Sequence, residues 1–163
     1  MGLIHTRVTL SNPRRSDLAP LTVTALVDTG AITLCIPEHV AVQLNLSALE
    51  QREVTTAEGR HVSVPYVGPV QVTFGNRSCF VGALVLGDGV LLGSIPLEDM
   101  DLVINSRRQE VTVNPESPNI PSAVVKSASC RTGGREVPRI QPLRSTPSGG
   151  ASAHALVRPG GSE

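Results

Sequence analysis

The chain has 163 residues, with 14 basic and 14 acidic side chains and a formal net charge of zero. This length suits one domain with or without a tail, and the balanced charge gives no overall basic field for nucleic acid. The aromatic residues are one Tyr and two Phe, so we expect an aliphatic core and no aromatic platform on which unpaired bases could stack. These observations predict that the protein has no nucleic-acid partner.

The three cysteines give no sign of a metal site. Cys35, Cys79 and Cys130 show no Cys-x-x-Cys spacing and no paired histidine, so we expect neither a metal nor another cofactor. An odd cysteine count without a secretory leader is typical of a reducing compartment, which predicts a cytoplasmic protein. No run of eighteen apolar residues occurs, so no membrane partner is expected.

The first third of the chain reads as strands followed by a helix. Short β-rich runs broken by turn residues predict strands at 2–10, 21–27 and 32–36. Pro37-Glu38 then opens a helix, because Pro fits the first turn and Glu favours its positive end. The buried stripe of this helix is predicted to comprise Val40, Ala41 and Leu44.

Hairpins dominate the next part of the chain, since turn residues separate paired β-rich runs. The tripeptide Ala57-Glu58-Gly59 is predicted to form one hairpin tip and Gly75-Asn76-Arg77 another. The predicted elements are strands at 52–56, 60–67, 70–74 and 78–86, a strand at 90–92 buried on both faces, a helical turn or two at 95–100, and a last hairpin of 102–104 with 110–113.

The composition changes after residue 113. Ser, Pro and Gly supply 21 of residues 114–163, and six basic side chains stand against three acidic ones. Such a segment cannot bury enough apolar surface to offset its ordering entropy. We therefore predict a folded domain at 1–113 and a disordered, basic, solubilising tail at 114–163, which could be removed with little effect on folding or activity.

One tripeptide carries the functional signal. An apolar run, Ala25-Leu26-Val27, leads directly into Asp28-Thr29-Gly30, and the chain contains a single Asp-Thr-Gly. Asp and Gly are both turn formers, so the tripeptide alone also fits an ordinary strand end. A second apolar run closes about sixty residues later with Leu91-Leu92-Gly93.

In this order and spacing, the Asp-Thr-Gly loop, the hairpin tip, the two apolar residues with Gly and the following helix resemble a retropepsin-like aspartic protease of the small bacterial type. The resemblance implies an all-β acid-protease half-barrel with one or two short helices. It assigns catalysis to Asp28 and implies three further sets of residues: the active-site loop Thr29, Gly30 and Ala31, the substrate-binding flap Ala57, Glu58 and Gly59, and the structural support Leu91, Leu92 and Gly93.

The family resemblance implies an endopeptidase that hydrolyses an extended peptide or protein substrate. Two carboxylates that share a proton can act together as base and acid, as is well known for aspartic proteases. Since this chain supplies one Asp28, the resemblance implies a homodimer in which both copies contribute it. The Thr29 hydroxyl would bond across the dimer, and the terminal hairpin at 102–113 is the expected interface.

Two positions depart from the retroviral enzymes, which carry an Asp shortly after the triplet and an Arg after the later Gly. Here these positions hold Ile32 and Ser94, so the brace of the dimer must differ. A catalytically inactive dimerisation or peptide-binding module is the alternative function. A serine or cysteine hydrolase is disfavoured, because the chain has no Gly-x-Ser-x-Gly motif.

Overall fold

The structure is a computed structural model that describes residues 3–56 and 59–123. The internal contacts divide the chain into Met1–Lys126 and Ser127–Glu163, and the second unit lies outside the described residues. Residues 124–163, which are predicted to be disordered and include Cys130, therefore lie outside the described residues. The division into domain and tail stays a prediction.

Short strands and turns make up most of the described residues, which confirms the predicted all-β class. The elements are β1 (His5–Ser11), β2 (Leu21–Val27), β3 (Leu34–Ile36), α1 (Glu38–Gln43), β4 (Ala48–Thr55), β5 (His61–Phe74), β6 (Arg77–Val85), β7 (Val90–Leu92), α2 (Ser94–Asp99), β8 (Leu102–Asn105) and β9 (Glu110–Val113).

Six strands close into a barrel. The hydrogen-bonded order is β1-β2-β7-β3-β6-β5, and β5 pairs back onto β1 through registers such as Leu10 with Val72. Strand β4 extends the sheet from β5, and β8 and β9 form a separate two-stranded sheet. This arrangement confirms the retropepsin-like fold that the sequence predicts.

The barrel interior is aliphatic, as the scarcity of aromatic residues predicts. Leu10, Leu34, Ile36 and Leu92 are fully shielded from solvent. The predicted stripe of α1 is also buried, which lets this short helix cover one end of the core. The buried residues of this stripe are Val40, Ala41 and Leu44.

Both described cysteines are core residues, as predicted. Burial raises the pKa of the Cys35 thiol, with a smaller contribution from the nearby charge of Asp28. Burial likewise raises the pKa of Cys79 to about 12. These thiols are therefore protonated at neutral pH and behave as small apolar side chains.

Strand β5 corrects the prediction of two separate strands at 60–67 and 70–74. The structure has one strand of 14 residues. Gly68 and Pro69 form a bulge in it, which shifts the register of the pairing with β6 between Val67 and Val70 without ending the strand.

Strand β4 also begins four residues earlier than predicted. Its residues are mostly exposed, so no alternation of apolar and polar positions marked its start.

Residues 114–122 lie on the barrel rather than leaving it, and we call them the C-terminal strap. The Asp101 carboxylate accepts hydrogen bonds from Asn114 Nδ2 at 2.9 Å, from the Ser117 hydroxyl and from the Ser122 N–H at 2.8 Å. Arg77, which is 1% exposed, donates from Nη2 to the Ser117 carbonyl oxygen. The folded contacts thus continue about ten residues past the predicted boundary at residue 113.

Truncation before and after the strap should therefore have different effects. A chain ending at Ala123 should keep the thermal stability of residues 1–163. A chain ending at Val113 should lose about 1–3 kcal/mol of unfolding free energy, because the buried Arg77 guanidinium loses the Ser117 carbonyl oxygen that accepts its hydrogen bond. Denaturant titrations of both truncations measure this difference, and equal stabilities would show that the strap contributes nothing.

The Asp101 cluster should also leave a signature in the pH dependence of stability. Hydrogen bonds from Ser117, Ser122 and Asn114 lower the pKa of Asp101 to about 2. A lowered pKa stabilises the folded state above the unfolded-state pKa of about 4, and this stabilisation is lost as the pH falls toward 2. The Tm difference between the natural chain and Asp101→Asn should therefore be constant above about pH 5 and shrink below about pH 4. A difference that stays constant down to pH 2 would contradict this assignment.

Candidate active site

The Asp28 loop begins where two parallel strands end side by side. Strand β2 pairs with β7 so that Leu26 lies opposite Leu91 and Val27 opposite Leu92. The ladder continues into the loop, since the Asp28 N–H donates to the Leu92 carbonyl oxygen at 3.1 Å. The two apolar segments identified from sequence are therefore brought together, and β7 fixes the position of Asp28.

The Asp28 carboxylate is held by its own loop. The Gly30 N–H donates to Oδ1 at 2.9 Å, and the Ala31 N–H donates to the Asp28 carbonyl oxygen at 3.1 Å. A Cβ on Gly30 would lie 3.1 Å from Oδ1, so the absence of a side chain allows this close approach. Asp28 is half-buried, whereas Thr29 and Gly30 are exposed. Among the described residues no hydrogen bond reaches Oδ2.

Gly93 lies against the back of the loop. The Ser94 N–H donates to Ala31 O at 2.8 Å, and the Ile95 N–H donates to Ile32 O at 2.9 Å. A Cβ on Gly93 would overlap the Thr33 carbonyl oxygen and lie 2.6 Å from that of Ala31. These neighbours are backbone atoms that cannot rotate away, so only glycine fits this packing.

Thr33 is a supporting residue that sequence reasoning missed. Its buried hydroxyl donates to the Gly82 carbonyl oxygen at 2.9 Å and joins the end of the loop to β6. A threonine inside an apolar run carries no distinguishing sequence signal, because threonine is common in strands.

The predicted flap is the hairpin of β4 and β5. Thr55 pairs with His61, and the Thr56 N–H donates to Arg60 O at 2.9 Å beyond the last strand pair. Gly59 donates to Thr56 O at 2.8 Å with φ of +77°, a conformation that favours glycine. The other two predicted flap residues, Ala57 and Glu58, lie outside the described residues.

A contact between Arg52, Tyr66 and Gly82 at the base of the flap was also not predicted from the sequence. The Arg52 guanidinium lies 3.5 Å from the centroid of the Tyr66 ring, a cation–π geometry. The ring also lies against Gly82, where a Cβ would overlap it. The Tyr66 ring therefore links β4, β5 and β6, and this contact fixes the base of the flap to the barrel.

A cavity of about 470 Å³ lies beside β2 and β7, the strands that carry the Asp28 loop. Leu26, Val90 and Leu91 supply apolar lining, and His5 and Asp88 supply polar groups. Leu26 precedes Asp28 by two residues on β2, so the strand that leads into the Asp28 loop also lines the cavity. Of these five residues, Leu91 was assigned to the site from the sequence, as a supporting residue, and Leu26 was identified in the apolar run before Asp28.

Two further findings concern cofactors and membranes. In residues 3–56 and 59–123, no three His, Cys, Asp or Glu side chains are grouped as metal ligands would be. No helix in the same part of the chain is long and apolar enough to cross a membrane. The expectations of no cofactor and of a cytoplasmic location stay predictions.

The fold and the loop together define an acid-protease-like barrel that carries one Asp-Thr-Gly loop. Residues 19–99 match the family described as gag-polyprotein putative aspartyl protease. The matched segment contains the Asp28 loop, the flap hairpin and Leu91-Leu92-Gly93, and these residues belong to the retropepsin-like aspartic protease family. Among the curated proteins, none matches the chain.

The packing at Gly93 can be tested by comparing an alanine substitution there with one at Gly89, a glycine whose surroundings are open. Gly93→Ala should lower the free energy of unfolding by about 3 kcal/mol, because backbone atoms occupy the space of the new methyl group. At Gly89, a Cβ would meet nothing within 4 Å, so Gly89→Ala should change stability by less than about 0.5 kcal/mol. Chemical denaturation measures both, and a neutral Gly93→Ala would refute the packing argument.

Proposed function

We propose that the protein is a homodimeric aspartic endopeptidase in which two Asp28 carboxylates activate a water molecule. The observation that supports this most strongly is the state of the Asp28 side chain. Its Oδ1 accepts the Gly30 N–H at 2.9 Å, while Oδ2 accepts no hydrogen bond from the described residues. One oxygen is thus oriented by the protein and the other is available to water or to a second carboxylate.

The chemistry needs a base and an acid in the same place. Two carboxylates a few ångströms apart share one proton, because both cannot ionise at that separation. The ionised Asp28 takes a proton from water as the water oxygen attacks the peptide carbonyl carbon, and the protonated Asp28 donates its proton to the carbonyl oxygen. When the tetrahedral intermediate collapses, the C–N bond breaks and the amine leaves with a proton from the pair.

The exposed loop is suited to pairing with a second copy. A twofold axis beside Thr29 would set Asp28 of one copy against Asp28 of the other, with identical contacts in both directions. The Thr29 hydroxyl would then bond across the axis. The hairpin of β8 and β9 pairs with no other strand in the described part of the chain, and its edge is available for the interface.

An extended peptide is the substrate that this geometry suits. The flap hairpin offers backbone groups for strand addition, in which main-chain hydrogen bonds bind the peptide. The cavity beside Leu26 and Leu91 would take a substrate side chain, and its apolar lining favours an aliphatic or aromatic one. Peptide binding would thus combine backbone hydrogen bonds with burial of one apolar side chain near the scissile bond.

Asp28→Asn is the direct test of this mechanism. The amide matches the carboxylate in size and still accepts the Gly30 N–H, so folding and dimerisation should survive. It cannot act as the base, so kcat for peptide cleavage should fall by at least about 10²–10⁴-fold. The matched control is Asp17→Asn, which changes an exposed carboxylate paired with Arg15 and should keep full activity.

Inhibitors separate this mechanism from other hydrolases. A statine-type compound should inhibit the natural chain, because its hydroxyl would lie between the two carboxylates as the attacking water does. A metal chelator should leave the rate unchanged. If the Asp28→Asn dimer cleaved peptides at the natural rate, the mechanism would fail. If the natural chain bound peptides without cleaving them, the inactive binding module would be the better assignment.

A further inference from the structure

The hairpin of β4 and β5 extends beyond the barrel. Strand β6 pairs with β5 from Tyr66 onward, beginning with the pair of Tyr66 and Leu84. Residues 61–65 of β5 pair with β4 instead, as far as His61 with Thr55. Strand β4 is the last strand of the sheet, and its residues are mostly exposed. The outer part of the hairpin is therefore two strands wide, and two strands alone hold a fixed direction only weakly.

Tyr66 lies where the hairpin leaves the barrel, and its ring contacts both. On the hairpin, the Arg52 guanidinium lies 3.5 Å from the ring centroid, and Arg52 Nε donates to Glu50 Oε1 at 2.5 Å. On the barrel, a Cβ on Gly82 would overlap Cζ and the hydroxyl oxygen of Tyr66 and lie 2.6 Å from Cε1. The three atoms nearest to that Cβ all belong to Tyr66. The ring therefore occupies the space that a side chain at residue 82 would fill.

Gly82 is also connected to the Asp28 loop. Its carbonyl oxygen accepts the Thr33 hydroxyl at 2.9 Å, at the end of that loop. The backbone of Thr33 in turn packs against Gly93. The Tyr66 ring thus lies against the residue of β6 that is hydrogen-bonded to the end of the Asp28 loop.

We propose that Tyr66 is a positioning residue for substrate binding: through its contacts with Arg52 and Gly82, its ring sets the direction of the flap hairpin relative to the Asp28 loop. This inference rests on the proposed function, in which the flap binds an extended peptide by strand addition. Main-chain hydrogen bonds are directional, so they form with a peptide at Asp28 only when the hairpin has the right direction. Without the ring the hairpin samples more directions, and peptide binding must restrict them.

Peptide-cleavage kinetics of the full chain test this role. Tyr66→Leu should raise KM at least about fivefold and change kcat less than about threefold, because a looser hairpin weakens substrate binding and leaves the Asp28 pair unaltered. Tyr66→Phe keeps the ring and should hold KM within about twofold of the natural value. The matched control is Phe80→Leu, which removes a ring that is 62% exposed on β6, and it should leave KM unchanged.

Gly82→Ala tests the same contact from the barrel side. Its methyl group would displace the Tyr66 ring, so KM should rise as it does in Tyr66→Leu. Gly82 does not have a left-handed backbone conformation, so the ring is the main obstacle to alanine there. In a chain that already carries Tyr66→Ala, Gly82→Ala should therefore change KM by less than about twofold.

Hydrogen exchange gives a readout that does not depend on catalysis. The backbone amides of residues 52–56 and 61–65 should exchange at least about fivefold faster in Tyr66→Leu than in the natural chain, while the amides of β7 should be unchanged. Arg52→Gln changes a side chain that is 45% exposed, so the barrel should stay folded. It should speed exchange in the same hairpin amides, because the cation–π contact is lost.

If Tyr66→Leu leaves KM and the exchange rates unchanged, the positioning proposal is overturned and the proposed protease function stands. A fall in kcat with unchanged KM would also overturn it, since the ring would then act on the Asp28 loop. Faster exchange in β7 as well as in the hairpin would overturn it too, because the ring would then support the whole barrel. A natural chain that cleaves no peptide would instead overturn the proposed function, and the exchange rates would still support or overturn the positioning of the hairpin.

Discussion

The contact between Gly93 and the backbone of residues 31–33 is the constraint on which the rest of the site depends. A Cβ on Gly93 would overlap Thr33 O and lie 2.6 Å from Ala31 O, so the end of β7 can lie directly against the loop only without a side chain. Two N–H groups just after Gly93 then bond to the carbonyls of Ala31 and Ile32. The loop is thereby held from behind, and its Asp28 side is left open.

The contacts behind the loop fix the position of its exposed side, which carries Asp28. Asp28 continues the β2–β7 ladder through Leu92 O, and Gly30 orients one of its carboxylate oxygens. The strands that lead into the loop also supply Leu26 and Leu91 to the lining of a cavity. The rigid barrel and the one oriented carboxylate support the proposal that a second copy of the chain completes the catalytic site.

Sequence reasoning succeeded where a local pattern determines the structure. Strands 21–27 and 90–92 were predicted with the bounds that the structure has, because turn residues and apolar runs mark both. It failed where the determining contact is distant in sequence. The bulge at Gly68-Pro69 continues β5 instead of ending it, because β6 pairs with β5 on both sides of the bulge.

Other misses have the same physical origin. Arg77 reads as a turn residue, but it is buried and pairs with the Ser117 carbonyl of the strap. The strap itself is held by Asp101 and by backbone groups, so its composition carries no apolar period. Tyr66 and Gly82 meet across neighbouring strands, and closure of the barrel by β1 with β5 joins segments about sixty residues apart. None of these contacts leaves a signature within a short window of sequence.

The central claim is that each active site contains Asp28 from two chains, and subunit mixing tests it most directly. Natural chains are mixed with an equal amount of Asp28→Asn chains, allowed to exchange, and assayed for peptide cleavage. If both carboxylates are required, random pairing leaves about a quarter of the dimers active, so activity per total chain falls to about a quarter. If each chain acted alone, activity would fall to about half, and that result would contradict the account.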